Sequence, residues 1–256
     1  MYPILFRLGG LTIYAYGFFL ILGIVVAGTL AVLKVRKEGL HLPFERVADL
    51  FFYSVLSALV GSRILFVLIN FDLYRETPLR IFKIWEGGLV FFGGLLLAIG
   101  VSIAYMRWYR LPVGKLFDLV SPSLAIGLFF GRFGCFFAGC CYGKETSLLW
   151  GVIFTDPNSL ARLNVALHPT QLYDAASGLA VFLFLIWKEK RKAFDGQIFL
   201  FFILLYSIAR FFIEMLRGDP RGFFIQNLLS TSQGIAIVLA ILSIFMLFYC
   251  KKQFGR

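Results

Sequence analysis

Long apolar stretches alternate with short polar segments along this chain, and none shows the every-second-residue alternation of a barrel strand. Seven such stretches run near 12–33, 47–70, 88–106, 115–136, 171–187, 195–216 and 229–249. A helix needs about 20 apolar residues to cross a bilayer, so each stretch predicts a membrane-spanning helix. Seven spans use roughly 140 residues at that length, leaving loops and one modest extramembrane piece. The largest polar interval is 137–167, with Lys144, Glu145, Asp156, Pro157 and Asn158. The expected architecture is an all-α polytopic membrane protein: a single transmembrane domain over 1–256, about seven helices, and residues 137–167 as an inserted extracytoplasmic loop or arm. No internal repeat is visible, which removes support for an inverted-repeat transporter.

Composition agrees. Of 256 residues, 60% are hydrophobic and 15% charged, and the mean hydropathy is +0.85. A soluble chain of this size cannot hide so much apolar surface, and disorder, collagen and small disulfide scaffolds are excluded by the same figures. The first span is too long for a signal peptide and leads straight into a basic loop, so it is expected to be an uncleaved anchor.

Net charge is +11, yet its placement points away from nucleic acid. Fourteen of the 25 basic residues fall in four clusters, at 34–46, 107–115, 188–192 and 251–256, which share one side if all seven spans cross. The positive-inside rule makes that side cytoplasmic, with the N-terminus outside and the C-terminus inside. The clusters then serve as topology determinants and contacts to anionic membrane lipids.

Three other basic residues sit where lipid should be: Arg63, Arg132 and Arg210. A charge at membrane depth costs about 2.5–3.5 kcal/mol on insertion scales, so a chain that keeps one normally uses it. Arg210 and Glu214 share a helix face, with Arg217 one turn further on. One reading is an internal ion pair that glues helices. The other is a guanidinium, oriented by its carboxylate, whose planar fork meets the oxygens of a phosphate in pairs.

Glycines form a second pattern. The run 127-GLFFGRFGCFFAGCCYG-143 holds two GxxxG spacings, suited to close helix packing, and places Arg132 among them. The segment 86-EGGLVFFGG-94 carries two glycine pairs, ending in Gly93 and Gly94, which read as irregular backbone lining a cavity. A third piece, 168-HPTQLYD-174, places Pro169 in the first turn of a helix and Gln171, Tyr173 and Asp174 at the water interface. His168 is one of two histidines, and the other, His41, falls on the inferred cytoplasmic side. The cysteines, Cys135, Cys140, Cys141 and Cys250, form no zinc-type CxxC pair and no secreted disulfide framework, and read as small packing residues. Neither a metal nor a cofactor is expected.

Together these segments resemble the bacterial phosphatidylglycerol–prolipoprotein diacylglyceryl transferases almost end to end. The resemblance rests on Tyr14-Ala15-Tyr16-Gly17, the segment from Gly61 to Asn70, EGGLVFFGG, the Gly131-Arg132…Gly143 run, HPTQLYD, Tyr206 with ARFFIEMLR at 209–217, and Gln233. It implies a seven-span enzyme of the bacterial inner membrane that moves diacylglyceryl from phosphatidylglycerol to the lipobox cysteine thiol of a preprolipoprotein, forming a thioether and releasing glycerol-1-phosphate. Matched to the family's motifs, Arg132 would hold the lipid phosphate and Arg210, oriented by Glu214, would assist the leaving group. Tyr16 would hydrogen-bond the headgroup, and Gly93, Gly94, Cys135, Gln171 and Tyr173 would line the substrate site. Many members carry a histidine where Phe92 stands here, some carry a polar residue at Cys135, and an acidic residue can occur at Cys140. The base is therefore either His168 or the field of the arginines acting on a thiol of pKa near 8.5. The competing classes are a transporter using Arg63, Arg132 and Arg210 as an anion path, and an inactive lipid-binding paralogue.

Overall fold

A computed structural model describes residues 2–8, 11–37, 44–75, 77–83, 87–219, 223–225 and 229–254. Seven long helices account for the seven apolar stretches: α1 (Ala15–Lys37), α2 (Phe44–Ile69), α4 (Phe91–Trp108), α5 (Val113–Ala138), α6 (Thr170–Glu189), α7 (Gln197–Met215) and α8 (Thr231–Phe254). A short helix, α3 (Asp72–Arg75), and a 3₁₀ turn at Pro78–Phe82 lie between α2 and α4. Among the described residues three two-stranded antiparallel sheets complete the fold: β1 (Ile4–Leu8) with β2 (Leu11–Tyr14), β3 (Val152–Ile153) with β4 (Ala166–Leu167), and β5 (Phe223–Ile225) with β6 (Leu229–Ser230). Six of the long helices are long and apolar enough to cross a membrane. The seventh, α4, has 18 residues, about 27 Å of helix at 1.5 Å per residue, close to the hydrocarbon thickness.

The buried and exposed faces are inverted relative to a soluble protein. The buried residues of α8 are Gln233, Ala236 and Ser243, whereas Ile241, Phe245 and Phe248 on the same helix are each more than 60% exposed. On α7 the polar Ser207, Arg210 and Glu214 are inside, while Phe212 is largely exposed. Water would not tolerate such outer faces, and lipid requires them. The protein is a multi-pass membrane protein.

The chain divides into two compact units, residues 1–31 with 114–256, and residues 32–113, with the boundary inside α1. In the second unit α2 and α4 meet backbone to backbone. A Cβ added to Gly93 would collide with the carbonyl oxygen of Gly61, and one on Gly94 would lie 2.5 Å from that of Ala58. The expectation of irregular backbone at Gly93 and Gly94 is corrected here: both lie within α4, and their missing side chains let two helices touch, the small-residue seam common in membranes. The other pair behaves as expected, since Gly87 and Gly88 have φ of 86° and 77°.

Arg63 explains that irregular segment. Its Nε donates to the Ile81 carbonyl at 2.8 Å, Nη1 to Gly87 at 2.6 Å and Gly88 at 3.1 Å, and Nη2 to Arg80 at 2.7 Å and Lys83 at 3.3 Å. Only a residue without Cβ fits at position 88, where a side chain would meet Arg63 Nη1 at 2.8 Å. A buried guanidinium thus gathers the carbonyls of residues 80, 81, 83, 87 and 88 around itself and satisfies its donors on them. Beside it lies a cavity of about 330 Å³ bounded by Phe66, Tyr74, Gly87 and Gly88.

Candidate functional site

The first unit gathers its charges at the ends of α5, α6 and α7. A short extended segment after α5 fastens these ends together. Gly143 N donates to the His168 carbonyl at 3.0 Å, His168 N to Lys144 at 2.9 Å, Lys144 N to Leu216 at 2.8 Å and Gly218 N to Tyr142 at 3.1 Å. Residues 142–145 are therefore bridged on one side to the residues preceding α6 and on the other to those following α7. This lacing brings Arg217, just past α7, to the level of Asp174 in the second turn of α6.

Asp174 is the hub. Its Oδ2 lies 3.3 Å from Arg132 Nε, 3.6 Å from Arg210 Nη1 and 3.8 Å from Arg217 Nη1. Glu214 Oε2 takes Arg210 Nη2 at 2.6 Å and lies 3.9 Å from Arg217 Nε. Arg217 also grips Asp219 with both Nε and Nη2, at 2.9 and 3.1 Å. Asp174, Arg210, Glu214 and Arg217 are each less than a tenth exposed, so this is a low-dielectric cluster of three guanidiniums and three carboxylates. Ser230 of β6, immediately before α8, donates to Glu214 Oε1 at 3.2 Å.

The contacts to Asp174 are long for charge-assisted hydrogen bonds, which run about 2.7–2.9 Å. Arg210 Nη1 and Arg217 Nη1 are buried without a hydrogen-bond acceptor. Buried donors with unused capacity are what an incoming anion would take up. A narrow crevice between α5, α6 and α7 reaches Arg132 and Asp174 past Leu128, Val181, Phe202 and Tyr206. Its volume is about 10 Å³, room for a single water, so a lipid headgroup enters only if these side chains move.

The remaining expected site residues divide. Tyr16, at the start of α1, stands within electrostatic reach of Arg132 and Cys135. Gln171 is fully buried, and its Nε2 donates to the Cys140 carbonyl at 2.8 Å, leaving Oε1 unpartnered. His168 contacts Tyr173: its Nδ1 is 3.3 Å from the Tyr173 hydroxyl, which accepts from Trp150 Nε1 at 2.8 Å. Gly93, Gly94 and Arg63 belong to the other unit. The Phe92 side chain and His41 lie outside the described residues.

Reading the sequence alone missed two features. Asp174 was expected as an interfacial polar group, but it is buried. The signal was present, because residues 171, 174, 175 and 178 follow helical spacing and line the buried stripe of α6. Also missed was a cysteine cluster. The expectation that no ligand set is present does not hold, since the thiols of Cys135, Cys140 and Cys141 all lie within 4.8 Å of one another.

Residues 138–167 form an ordered piece rather than a slack loop. Phe154 is fully buried against Phe136, Ala161 and Leu167, Glu145 pairs with Arg162 at 2.6 Å, and Leu149 and Trp150 project outward.

Comparison with known proteins shows the family. A profile of the family described as prolipoprotein diacylglyceryl transferase matches residues 3–249. The chain is 35% identical over 246 residues to the phosphatidylglycerol–prolipoprotein diacylglyceryl transferase of Clostridium tetani, covering 96% of each chain. It is 37% identical over 248 residues to the second such protein of Clostridium perfringens, covering 96% of this chain and 94% of the relative. With the one from Oleidesulfovibrio alaskensis it shares 40% identity over 225 residues, covering 84% and 79%.

Proposed function

The chain belongs to the prolipoprotein diacylglyceryl transferase family, and we propose that it transfers the diacylglyceryl group of phosphatidylglycerol to the thiol of a lipobox cysteine in a preprolipoprotein. The sulfur forms a bond to the terminal glyceryl carbon, and that carbon's bond to the phosphate oxygen breaks. Glycerol-1-phosphate leaves with the electron pair, and the thiol proton passes to a base or to solvent. The observation that carries this reading is the convergence of Arg132, Arg210 and Arg217 on one carboxylate oxygen with buried donors to spare.

In this reading Arg132 and Arg210 grip the lipid phosphate, and Glu214 fixes the Arg210 plane so that its charge is already aimed when the leaving oxygen becomes negative. A preorganised donor in a dry site is worth far more than one in water. Tyr16 and Cys135 border the headgroup, and Gln171 offers its unpartnered carbonyl to a glycerol hydroxyl. Gly93 and Gly94 are left to helix packing. Trp150 and Tyr173, beside His168, border the approach of the peptide along residues 138–167, which stand on the outer side of the bacterial inner membrane.

The decisive assay incubates purified protein with labelled phosphatidylglycerol and a lipobox peptide and looks for the thioether product. Transport of an anion across vesicles without consumption of phosphatidylglycerol would replace this reading. The thiol's activation is tested separately with His168→Gln. If His168 is the base, transfer slows about 10²–10⁴-fold. A wild-type rate leaves activation to the arginine field.

A further inference from the structure

Of the three clustered cysteines only Cys135 borders the proposed headgroup site, and the geometry of the three together is specific. Cys135 stands in the last turns of α5, and the helix ends at Ala138. Gly139 (φ 78°) and Cys141 (φ 61°) then turn the chain back through the left-handed region. Glycine adopts that conformation freely, whereas a cysteine held there costs roughly 1–3 kcal/mol unless its surroundings impose it. Here they do. Thr170 Oγ1 donates to the Cys141 carbonyl at 2.8 Å, and Gln171 Nε2 to the Cys140 carbonyl at 2.8 Å. Two side chains from the first turn of α6 therefore pin the peptide groups that carry the second and third thiols, and both thiols return to the first.

We propose that Cys135, Cys140 and Cys141 form a binding site for one soft, thiophilic d¹⁰ cation of the Zn²⁺, Cd²⁺ or Cu⁺ class. Three sulfurs bound at about 2.3 Å to one ion stand about 3.8–4.0 Å apart in tetrahedral or trigonal geometry, and the three here lie within 4.8 Å of one another. Thiolates select this class of ion over hard cations such as Mg²⁺ or Ca²⁺. Three thiolates suit three-coordinate Cu⁺ and leave a fourth position open on Zn²⁺ or Cd²⁺. The complex with a divalent ion carries one net negative charge, and the guanidiniums of Arg132 and Arg217 both act on Cys141. Their positive charge offsets the negative charge of the loaded site. No CxxC spacing marks this site, because the ligands are five and one residues apart and meet only through the left-handed turn.

The site stands on geometry independent of the transferase reading, and its test does not use transfer. Fully reduced protein in detergent is titrated with Cd²⁺ while thiolate-to-metal charge-transfer absorption is followed and the thiols are counted with a maleimide. The expected result is one Cd²⁺ per chain, a charge-transfer band, and protection of three thiols while Cys250, far along the sequence in α8, stays reactive. Cys135→Ser, Cys140→Ser and Cys141→Ser should each weaken binding at least tenfold, and Cys250→Ser should leave it unchanged. Because the wild-type count needs no variant, a substitution that fails to fold does not close the test. Absence of the band, reactivity of all four thiols in excess Cd²⁺, or equal weakening by Cys250→Ser would each overturn the proposal. So would purification of the protein with two of the three sulfurs joined as a disulfide.

Discussion

Asp174 shows how one carboxylate decides the behaviour of three arginines. Removing one partner from a buried charge cluster leaves the others uncompensated, typically at about 3–5 kcal/mol. Asp174→Asn should lower the thermal stability of the detergent-solubilised protein accordingly. If the cluster receives a lipid phosphate, phosphatidylglycerol micelles should restore more stability to this variant than to the wild type, and equal shifts in both would deny that role. Arg132→Ala and Arg210→Ala should each reduce transfer by about 10²–10³, the usual worth of one preorganised donor. Lysine should rescue poorly, since a point charge does not reproduce a planar fork. Normal turnover in Arg210→Ala would reduce its pair with Glu214 to helix glue. Arg132, Arg210 and Glu214 were legible in the sequence because charge at membrane depth stands out against an apolar background. Asp174 was not, because a carboxylate near a helix start reads equally as an interfacial residue. The thiol cluster was illegible for a different reason: it depends on the φ of Cys141, which no residue spacing encodes.

At the level of helices, the same residue type serves opposite purposes. The two glycine pairs of EGGLVFFGG look alike in sequence, yet Gly88 supplies a left-handed turn around Arg63 while Gly93 supplies contact area for α2. Only the tertiary partner distinguishes them. Gly93→Leu should force α2 and α4 apart, costing at least the about 1–3 kcal/mol typical of overpacking. Gly100→Ala on the same helix meets open space and should be near neutral in a thermal-unfolding comparison.

A second element-level device lies at the start of α7, which has no side-chain cap of its own. Asp118 of α5 provides it, accepting from the backbone N–H groups of Gly196 at 2.9 Å, Ile198 at 2.8 Å and Phe199 at 3.2 Å. Asp118→Ala should cost about 0.5–2 kcal/mol, as lost caps do. Lys192 completes the clamp, 3.2 Å from Asp118 and 3.1 Å from Asp195. Burial opposes the charge on Lys192, but Asp195 and Asp118 outweigh it and hold its pKa above the usual lysine value. A raised native pKa means that the stabilisation is complete below about pH 10.4, the unfolded value, and fades as pH climbs through the native one. Hydrogen exchange at the first amides of α7, corrected for intrinsic rates, should therefore show constant protection from pH 6 to 9 and a loss beyond pH 10 that Lys192→Met removes. Loss already at pH 8 would assign the clamp to another group.

Across the whole molecule, the seven apolar stretches all became helices, because length and hydropathy alone decide what can lie in a bilayer. Which faces touch was not readable, since nearly every face is apolar and burial inside is marked by small and polar residues instead. The four basic clusters predict sidedness: reporter fusions or site-directed labelling should place 34–46, 107–115, 188–192 and 251–256 in the cytoplasm and 137–167 outside. Finding 137–167 inside would separate the site from its proposed peptide substrate.

The carbonyl cage around Arg63 also bears on how the protein is made. Arg63 leaves the ribosome before any of its five acceptors, which follow 17 to 25 positions later. Until those residues emerge, α2 carries an unpaired cation, a burden of about 2.5–3.5 kcal/mol for lateral release into lipid. Translation to residue 88 should then relieve it within a single nascent chain. In a membrane-insertion assay of staged truncations, α2 should enter the bilayer incompletely from chains ending before residue 80 and fully from those extending beyond residue 88. Replacing Arg63 with leucine should abolish that step, and equal insertion at both lengths would show that the cage forms too late to guide synthesis.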